Sequence, residues 1–384
     1  MLRTKYDFMD SQNAKLVLTE VISNGSISRS QIARNLKINK VTISQVINKL
    51  IAEKLLVEIG AGTSTTHGGR KPSLVSLNYE FGFLVSVDIA YQNVQLMTSL
   101  LDGQRFAIEK IEIPTNDIQD VLQTINDYLT RMMQTMKCPL ISLGLSIHGV
   151  VKDNQILYSP FVDYQQLDLK QYFENKYQVP VILENEANLT AIYERDYEAN
   201  NDISLISISI HKGIGAGIII AGHLYKGRNG EAGEIGHSVT YANPDVPIVQ
   251  ENKVENYCSE TALIDRIKQV KNVYSLNLDN IKDMYRHQDD DVLKILHEFC
   301  GYMSKIIYNT IISFDPDKVV LNATILEKIP ELKDDIIERV HSLISDKTPI
   351  YLSSDVLTAT LYASASLQVR QLFQLGTLKI DFRK

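Results

Sequence analysis

The chain has 384 residues, 44% of them apolar, with 39 Lys and Arg against 46 Asp and Glu for a net charge of −7. That length accommodates a small domain and a body of two lobes. No apolar run approaches the roughly 18 residues that span a bilayer, and Met1-Leu2-Arg3 leads into no signal-type core, so a cytoplasmic location is expected. Cys138, Cys258 and Cys300 are scattered and odd in number, which argues against a disulfide framework and for reduced, mostly buried thiols.

Residues 26–78 read as a winged helix-turn-helix. Ser26-Ile27-Ser28-Arg29-Ser30 precedes a predicted helix over 31–36, with Ile32, Ala33 and Leu36 forming one buried stripe. After a break at Lys37-Ile38-Asn39, Asn39 is placed to cap a second helix through Ala52, in which Ile43, Val46, Ile47 and Leu50 repeat as i, i+3, i+4, i+7. That is the pattern of a recognition helix, and its other face carries Lys40, Thr42, Ser44, Gln45, Asn48 and Lys49, groups suited to base edges and phosphates. Strands are predicted over 55–59 and 74–77. Between them lies the wing tip Gly68-Gly69-Arg70-Lys71-Pro72, where Gly69 permits close backbone approach to DNA and Arg70 and Lys71 meet phosphate. Residues 1–78 hold 11 Lys and Arg against 5 Asp and Glu, whereas the remainder holds 28 against 41. A basic head on an acidic body fits a polyanion partner for the head alone.

In the body, strands are expected over 83–89, 94–101 and 106–113, the last after the turn Asp102-Gly103. A helix over 118–136 follows, then strands over 140–147, 179–184, 203–210, 217–221 and 318–321. This alternation argues for an α/β body. The expected division is 1–78 for the head, 79–190 for a first lobe that the C-terminal helix completes, and 191–384 for a second lobe with a sugar cleft and dimerisation surface.

Three segments carry chemistry. Leu183-Glu184-Asn185-Glu186-Ala187-Asn188 sets polar groups at a strand-to-helix junction. His211-Lys212-Gly213-Ile214-Gly215-Ala216-Gly217 reads as a glycine-rich turn able to present backbone amides to an anion. Gly230-Glu231-Ala232-Gly233-Glu234-Ile235-Gly236-His237 puts Glu234 and His237 three residues apart, with Glu255 further on. A pocket holding Asn185, Glu186, Glu234, His237 and Glu255 has the chemistry of a carbohydrate site, because each sugar hydroxyl is both donor and acceptor and paired polar groups reject ligands that lack them.

With these motifs and Phe314-Asp315-Pro316-Asp317-Lys318-Val319-Val320-Leu321, the chain resembles the ROK family of repressors and sugar kinases along nearly its whole length. The resemblance implies an actin-like, two-lobed sugar-kinase body behind the winged helix. It assigns sugar contacts to Asn185, Glu234, His237 and Glu255, and to Glu186 at the position of a family Asp. Family kinases carry Asp-x-Gly-Gly-Thr after the first strand, where this chain has Asp88-Ile89-Ala90-Tyr91-Gln92. Asn322-Ala323 replaces a late Gly-Gly pair, and Glu186 is one methylene longer than the catalytic Asp. Of a family zinc site only His237 is present, with Val246, Ile248 and Lys253 where thiolates belong.

The expectation is therefore a sugar-responsive repressor, with no enzymatic activity, cofactor or metal, most similar to the xylose-responsive members of the family in low-GC Gram-positive bacteria. Operator DNA, a small aldose and a second copy of the chain are its expected partners. A kinase of the same family, a repressor answering to glucose or N-acetylglucosamine, and a sugar-independent DNA-binding protein are the alternatives. Tyr158-Ser159-Pro160-Phe161 lies where family members contact the sugar, and its aromatics either narrow the pocket or belong to the core.

Overall fold

The computed structural model describes residues 7–61, 73–113, 115, 117–165, 167–198, 204–239, 253–344 and 347–383. Its contacts divide the chain into two units, one of Met1–Glu186, Asp196–Ala199 and Thr360–Lys384, the other of Ala187–Arg195 and Asn200–Ala359.

The head opens with α1 (Gln12–Asn24), a helix the sequence reading above leaves out although Ser11 caps it and Val17, Leu18, Val21 and Ile22 give it a buried face. Strand β1 (Ser26–Ser28) leads into α2 (Arg29–Leu36), which starts two residues earlier than expected because the Ser28 side chain accepts a hydrogen bond from the Gln31 amide. Asn39 caps α3 (Lys40–Ala52) as expected, its Oδ1 accepting from the Val41 amide at 2.7 Å. Strands β2 (Leu56–Ala61) and β3 (Ser73–Leu77) complete an antiparallel sheet of order β1-β3-β2. Ile27, Ile32, Ile43, Ile47, Leu50, Leu56 and Val75 are buried between helices and sheet, the arrangement of a winged helix. Gly69, Arg70 and Lys71 of the expected wing tip lie outside the described residues.

The same unit then builds β4 (Phe83–Ala90), β5 (Asn93–Ser99), β6 (Arg105–Glu112), α4 (Ile118–Thr135), β7 (Leu140–Ile147), the short pair β8 (Val150–Lys152) and β9 (Gln155–Tyr158), α5 (Leu169–Tyr177) and β10 (Val181–Asn185). The five-stranded sheet has order β10-β7-β4-β5-β6, parallel from β10 to β4 and antiparallel beyond. The interior strand β7 is buried at every position, as expected where both faces are covered, while β6 at the edge has no buried residue.

Helix α6 (Glu186–Asp196) passes into the second unit, which contains β11 (Leu205–Ile210), β12 (Ile214–Ile220), β13 (His223–Leu224), α7 (Glu255–Cys258), α8 (Glu260–Lys271), α9 (Leu278–Arg286), α10 (Asp290–Phe314), β14 (Lys318–Ala323), α11 (Thr324–Lys328), α12 (Pro330–His341) and β15 (Ile350–Leu352). Its sheet has order β13-β12-β11-β14-β15, with β11, β14 and β15 parallel. Helix α13 (Ala359–Leu372) then returns the chain to the first unit. No helix among the described residues is long and apolar enough to cross a membrane.

The expected glycine-rich turn is shorter in the structure. Only His211-Lys212-Gly213 turns, and Gly215 and Gly217 are strand residues of β12 paired to Ser209 and Ser207. A Cβ on Gly217 would stand 2.2 Å from the Ala187 carbonyl oxygen, so this glycine lets β12 approach α6.

Within the first unit, Asp196 and Arg370 form an ion pair at 2.7 Å with side chains 0% and 6% exposed. Replacing Arg370 by Ala leaves a buried carboxylate without its counter-charge. The expected loss is about 3–5 kcal/mol in this unit, read as an earlier thermal or urea transition. A transition unchanged from the wild type would refute that role for the pair.

Candidate functional site

The recognition helix α3 presents two opposed faces. Ile43, Ile47 and Leu50 are fully buried, and at 100° per residue the positions opposite them are Val41, Gln45 and Asn48, spaced i, i+4, i+7. All three are exposed, as are Lys40 and Lys49 beside them, while Thr42 and Ser44 are half-buried on the flanks. Arg29, from the start of α2, donates to Asn48 Oδ1 at 2.8 Å and pairs with Glu58 on β2 at 2.7 Å. One guanidinium thus ties helix α2, the recognition helix and the first wing strand. The sequence reading picked out the polar members of this face but neither Val41 nor Arg29. Val41 was discoverable by angular position alone; the pairing of Arg29 spans 19 and 29 residues and leaves no local pattern.

In the second unit the structure brings Glu234, His237 and Glu255 together. His237 Nε2 lies 3.4 Å from Glu255 Oε1 and 3.8 Å from Glu234 Oε2. Backbone packing enforces the proximity. The Ala216 amide of β12 donates to the Gly233 carbonyl at 2.7 Å, and a Cβ on Gly233 would fall 1.8 Å from the Ala216 carbonyl oxygen. Glu234 then precedes a single 3-10 turn, Ile235–His237, which swings His237 back over it. An antiparallel bridge from Val239 to Lys253, with the Val254 amide donating to Ser238, returns the chain so that α7 starts with Glu255 beside His237. All three side chains are partly exposed, between 22% and 37%. Burial raises the Glu234 carboxyl above its ordinary value; His237 opposes the shift, and Glu255 adds to it. Two carboxylates around one imidazole offer acceptors and a switchable donor at hydroxyl spacing, the requirement for a polyol.

In the first unit, Asn185 ends β10 and Glu186 starts α6, as the strand-to-helix junction required. Asn185 Nδ2 donates to the Gly149 carbonyl at 2.7 Å, which fixes the amide plane and turns its oxygen away from that carbonyl. Asn188, three residues after Asn185 and already in the second unit, is buried. A cleft of about 690 Å³ in this unit is lined by the segment around Asn154, Tyr158, Phe161, Asp163 and Asp168. The two aromatics divide: Tyr158 is 56% exposed on the cleft, whereas Phe161 is partly buried against the core of this unit.

The sequence pattern of the ROK family matches residues 84–369. The chain belongs to the ROK family.

Its relatives include a protein of Lactiplantibacillus pentosus named xylose repressor, 35% identical over 377 residues, which cover 97% of this chain and 96% of that one. Among solved structures, a ROK family transcriptional regulator described as a homolog of the E. coli MLC protein superposes with a TM-score of 0.79 at 20% identity, over 97% of this chain and 98% of that one. A ROK family glucokinase from Streptomyces griseus, in complex with glucose and AMPPNP, superposes with a TM-score of 0.65 at 21% identity, over 74% of this chain and 99% of the kinase. The chain thus has a winged helix-turn-helix followed by an α/β body of ROK sugar-kinase type.

Where the resemblance to ROK kinases implies a glycine pair after the first strand of the body, this chain has Ala90 and Tyr91. Asp88 at the end of β4 lies 3.1 Å from His148 Nε2, and the Phe161 ring packs near both His148 and Tyr91, with centroids 6.5 and 6.2 Å apart. In the second unit, Asn322 of the replaced late pair is buried on β14 with its Oδ1 2.8 Å from His211 Nε2. Among the described residues no group of three or more His, Cys, Asp or Glu side chains is arranged to hold a metal ion.

Gly233 has φ +96°, a conformation open to glycine, as well as the short approach to Ala216. Gly233→Ala is expected to destabilise the second unit by about 1–3 kcal/mol through strain and overpacking, while Ala232→Gly is nearly neutral. Equal melting curves for wild type and Gly233→Ala would contradict the close approach.

Proposed function

We propose that this ROK protein is a transcriptional repressor that binds operator DNA through its winged helix and is released by a small aldose, with D-xylose the first candidate. The observation that carries the reading is the presence in one chain of an outward-facing recognition helix and of the Glu234, His237 and Glu255 cluster. The L. pentosus relative, matched over nearly its full length and named xylose repressor, supports the choice of sugar. Asn185, Glu186, Glu234, His237 and Glu255 are assigned to the sugar. Each carboxylate accepts from adjacent hydroxyls while the imidazole donates to or accepts from a third.

For the DNA, Lys40 and Lys49 supply phosphate contacts, Gln45 and Asn48 face base edges, Thr42 and Ser44 flank them, and Gly69, Arg70 and Lys71 are assigned to the wing contact. A homodimer is part of the proposal, since two heads on successive major grooves, about 10.5 base pairs apart or a multiple of that, give the combined affinity that one small basic domain lacks. The polar pair Asp88 and His148 and the longer Glu186 favour regulation over phosphoryl transfer. If sugar weakens operator binding, linkage requires operator to weaken sugar binding by the same factor.

Calorimetric titration of the protein with xylose, glucose and N-acetylglucosamine, with and without operator duplex, tests the proposal. Xylose is expected to bind, more weakly in the presence of operator, and Glu255→Gln to lose at least tenfold in affinity, about the value of a hydrogen bond to a charged group. Binding of another of these sugars would move the effector; no binding of any, or affinity indifferent to DNA, would defeat the sugar-responsive reading.

The raised Glu234 carboxyl gives the cluster a pH dependence. Lowering the pH protonates it, beginning above the ordinary value of 4.5, and removes an ionised acceptor, so sugar affinity falls toward acid. Glu234→Gln is expected to bind more weakly at neutral pH and to lose that part of the fall, checked by sugar titrations of both proteins as the pH is lowered from neutral.

A further inference from the structure

We infer that Val41 is a specificity-determining residue that reads the C5-methyl of a thymine in the operator; the inference rests on the operator-binding reading above. Val41 is 64% exposed, against 42% for Ile59, another exposed large apolar side chain among the described residues of the head. Its position gives that exposure meaning. It shares the stripe directly opposite Ile43, Ile47 and Leu50 with Gln45 and Asn48, and it belongs to the first turn of α3, the part of a recognition helix that meets base edges.

Every described neighbour on that face is polar or charged: Lys40 and Thr42 on either side, Gln45 one turn on, Asn48 beyond it. An isolated valine there gains nothing within the head, where the helix already buries its apolar side. The major groove displays a single apolar group, the thymine methyl, and a β-branched side chain with few rotamers covers it at little entropic cost. The guanidinium of Arg29, bound to Asn48, the Ser44 carbonyl and Glu58, holds this helix against α2 and the wing strand, so the stripe is presented in a fixed attitude. Val41 and Gln45 are four residues apart, a rise of about 6 Å, so the thymine lies within about two base pairs of the base that Gln45 faces.

The test uses the full chain and duplexes that it selects from a randomised pool. Each thymine of the selected half-site is replaced singly by deoxyuridine, which removes only the methyl, and affinities are measured by fluorescence anisotropy at fixed salt. One thymine per half-site is expected to lose about fourfold in affinity on losing its methyl, the value of one buried methyl group. Val41→Ala is expected to bind the thymine duplex more weakly and to be indifferent to the replacement, with an unchanged salt dependence because the phosphate contacts remain. Val41→Thr, which keeps one γ-methyl, is expected to retain part of the discrimination. The inference is overturned if no replacement matters to the wild-type chain, or if Val41→Ala shows the same penalty at the same thymine. Failure to select any duplex is a different result, because it removes the operator-binding reading and the inference together.

Discussion

The buried pair of Asp196 and Arg370 is the fixed point of the first unit. Two charges out of water are tolerated only if their remaining hydrogen-bonding capacity is met, and here it is. Asp196 accepts from Arg370 Nε and Nη2 and from the Ser366 hydroxyl, and Arg370 Nη1 donates to the carbonyls of Gly376 and Leu378. Satisfying the guanidinium therefore orders the segment that follows α13. From there the Phe382 amide donates to the Asp196 carbonyl, the Arg383 amide to the Asp102 carbonyl, and the Asp381 amide to the Ser23 hydroxyl on α1. The last residues of the chain thus hold the winged helix at its beginning, and a single ion pair anchors the connection.

Close backbone approach plays the corresponding part in the second unit. Strand β12 is contacted by α6 on one account and by the Gly233 segment on another, and in both places a side chain would collide with a carbonyl oxygen, of Ala187 at Gly217 and of Ala216 at Gly233. The glycines set the distance at which Glu234 and His237 are carried, and the bridge from Val239 to Lys253 sets the distance of Glu255. Polar clusters built in this way are rigid because their spacing derives from main-chain contacts, and rigidity is what lets three hydrogen-bonding groups discriminate among polyols.

Much of this was legible in the sequence. The cap at Asn39, the i, i+3, i+4, i+7 repeat in α3 and the strand-to-helix junction at Asn185 and Glu186 are local, and local patterns survive without a structure. Spacing is less legible where glycine serves more than one purpose: Gly215 falls within the expected turn, and Gly217 both in that turn and at the start of an expected strand, whereas both are strand residues that packing against α6 requires to be small. Helix α1 lies ahead of the helix-turn-helix motif, and Ser11 with the apolar spacing of Val17, Leu18, Val21 and Ile22 is the local signal for it. The link of Arg29 to Glu58, the docking of Asp381 on Ser23 and the pairing of Asp88 with His148 were beyond any window-based reading, because each joins residues tens to hundreds of positions apart.

The departures from the kinase pattern follow from what each activity demands. A kinase must stabilise a transition state, so it depends on the placement of a base and of phosphate-binding backbone to within a fraction of an ångström. A regulator needs only that its ligand bind two states of the protein with different free energies. Nothing in that second requirement constrains the phosphate loop, and in this chain Asp88 at that position is engaged by His148, whose ring meets the edge of Phe161, itself edge-on to Tyr91. The requirement does constrain the polar groups assigned to the sugar in the proposed reading, since differential affinity cannot exceed affinity. On the proposed reading, a site without a catalytic task still needs a hydroxyl-matching cluster such as Glu234, His237 and Glu255, whereas the residues at the end of β4 are free to vary.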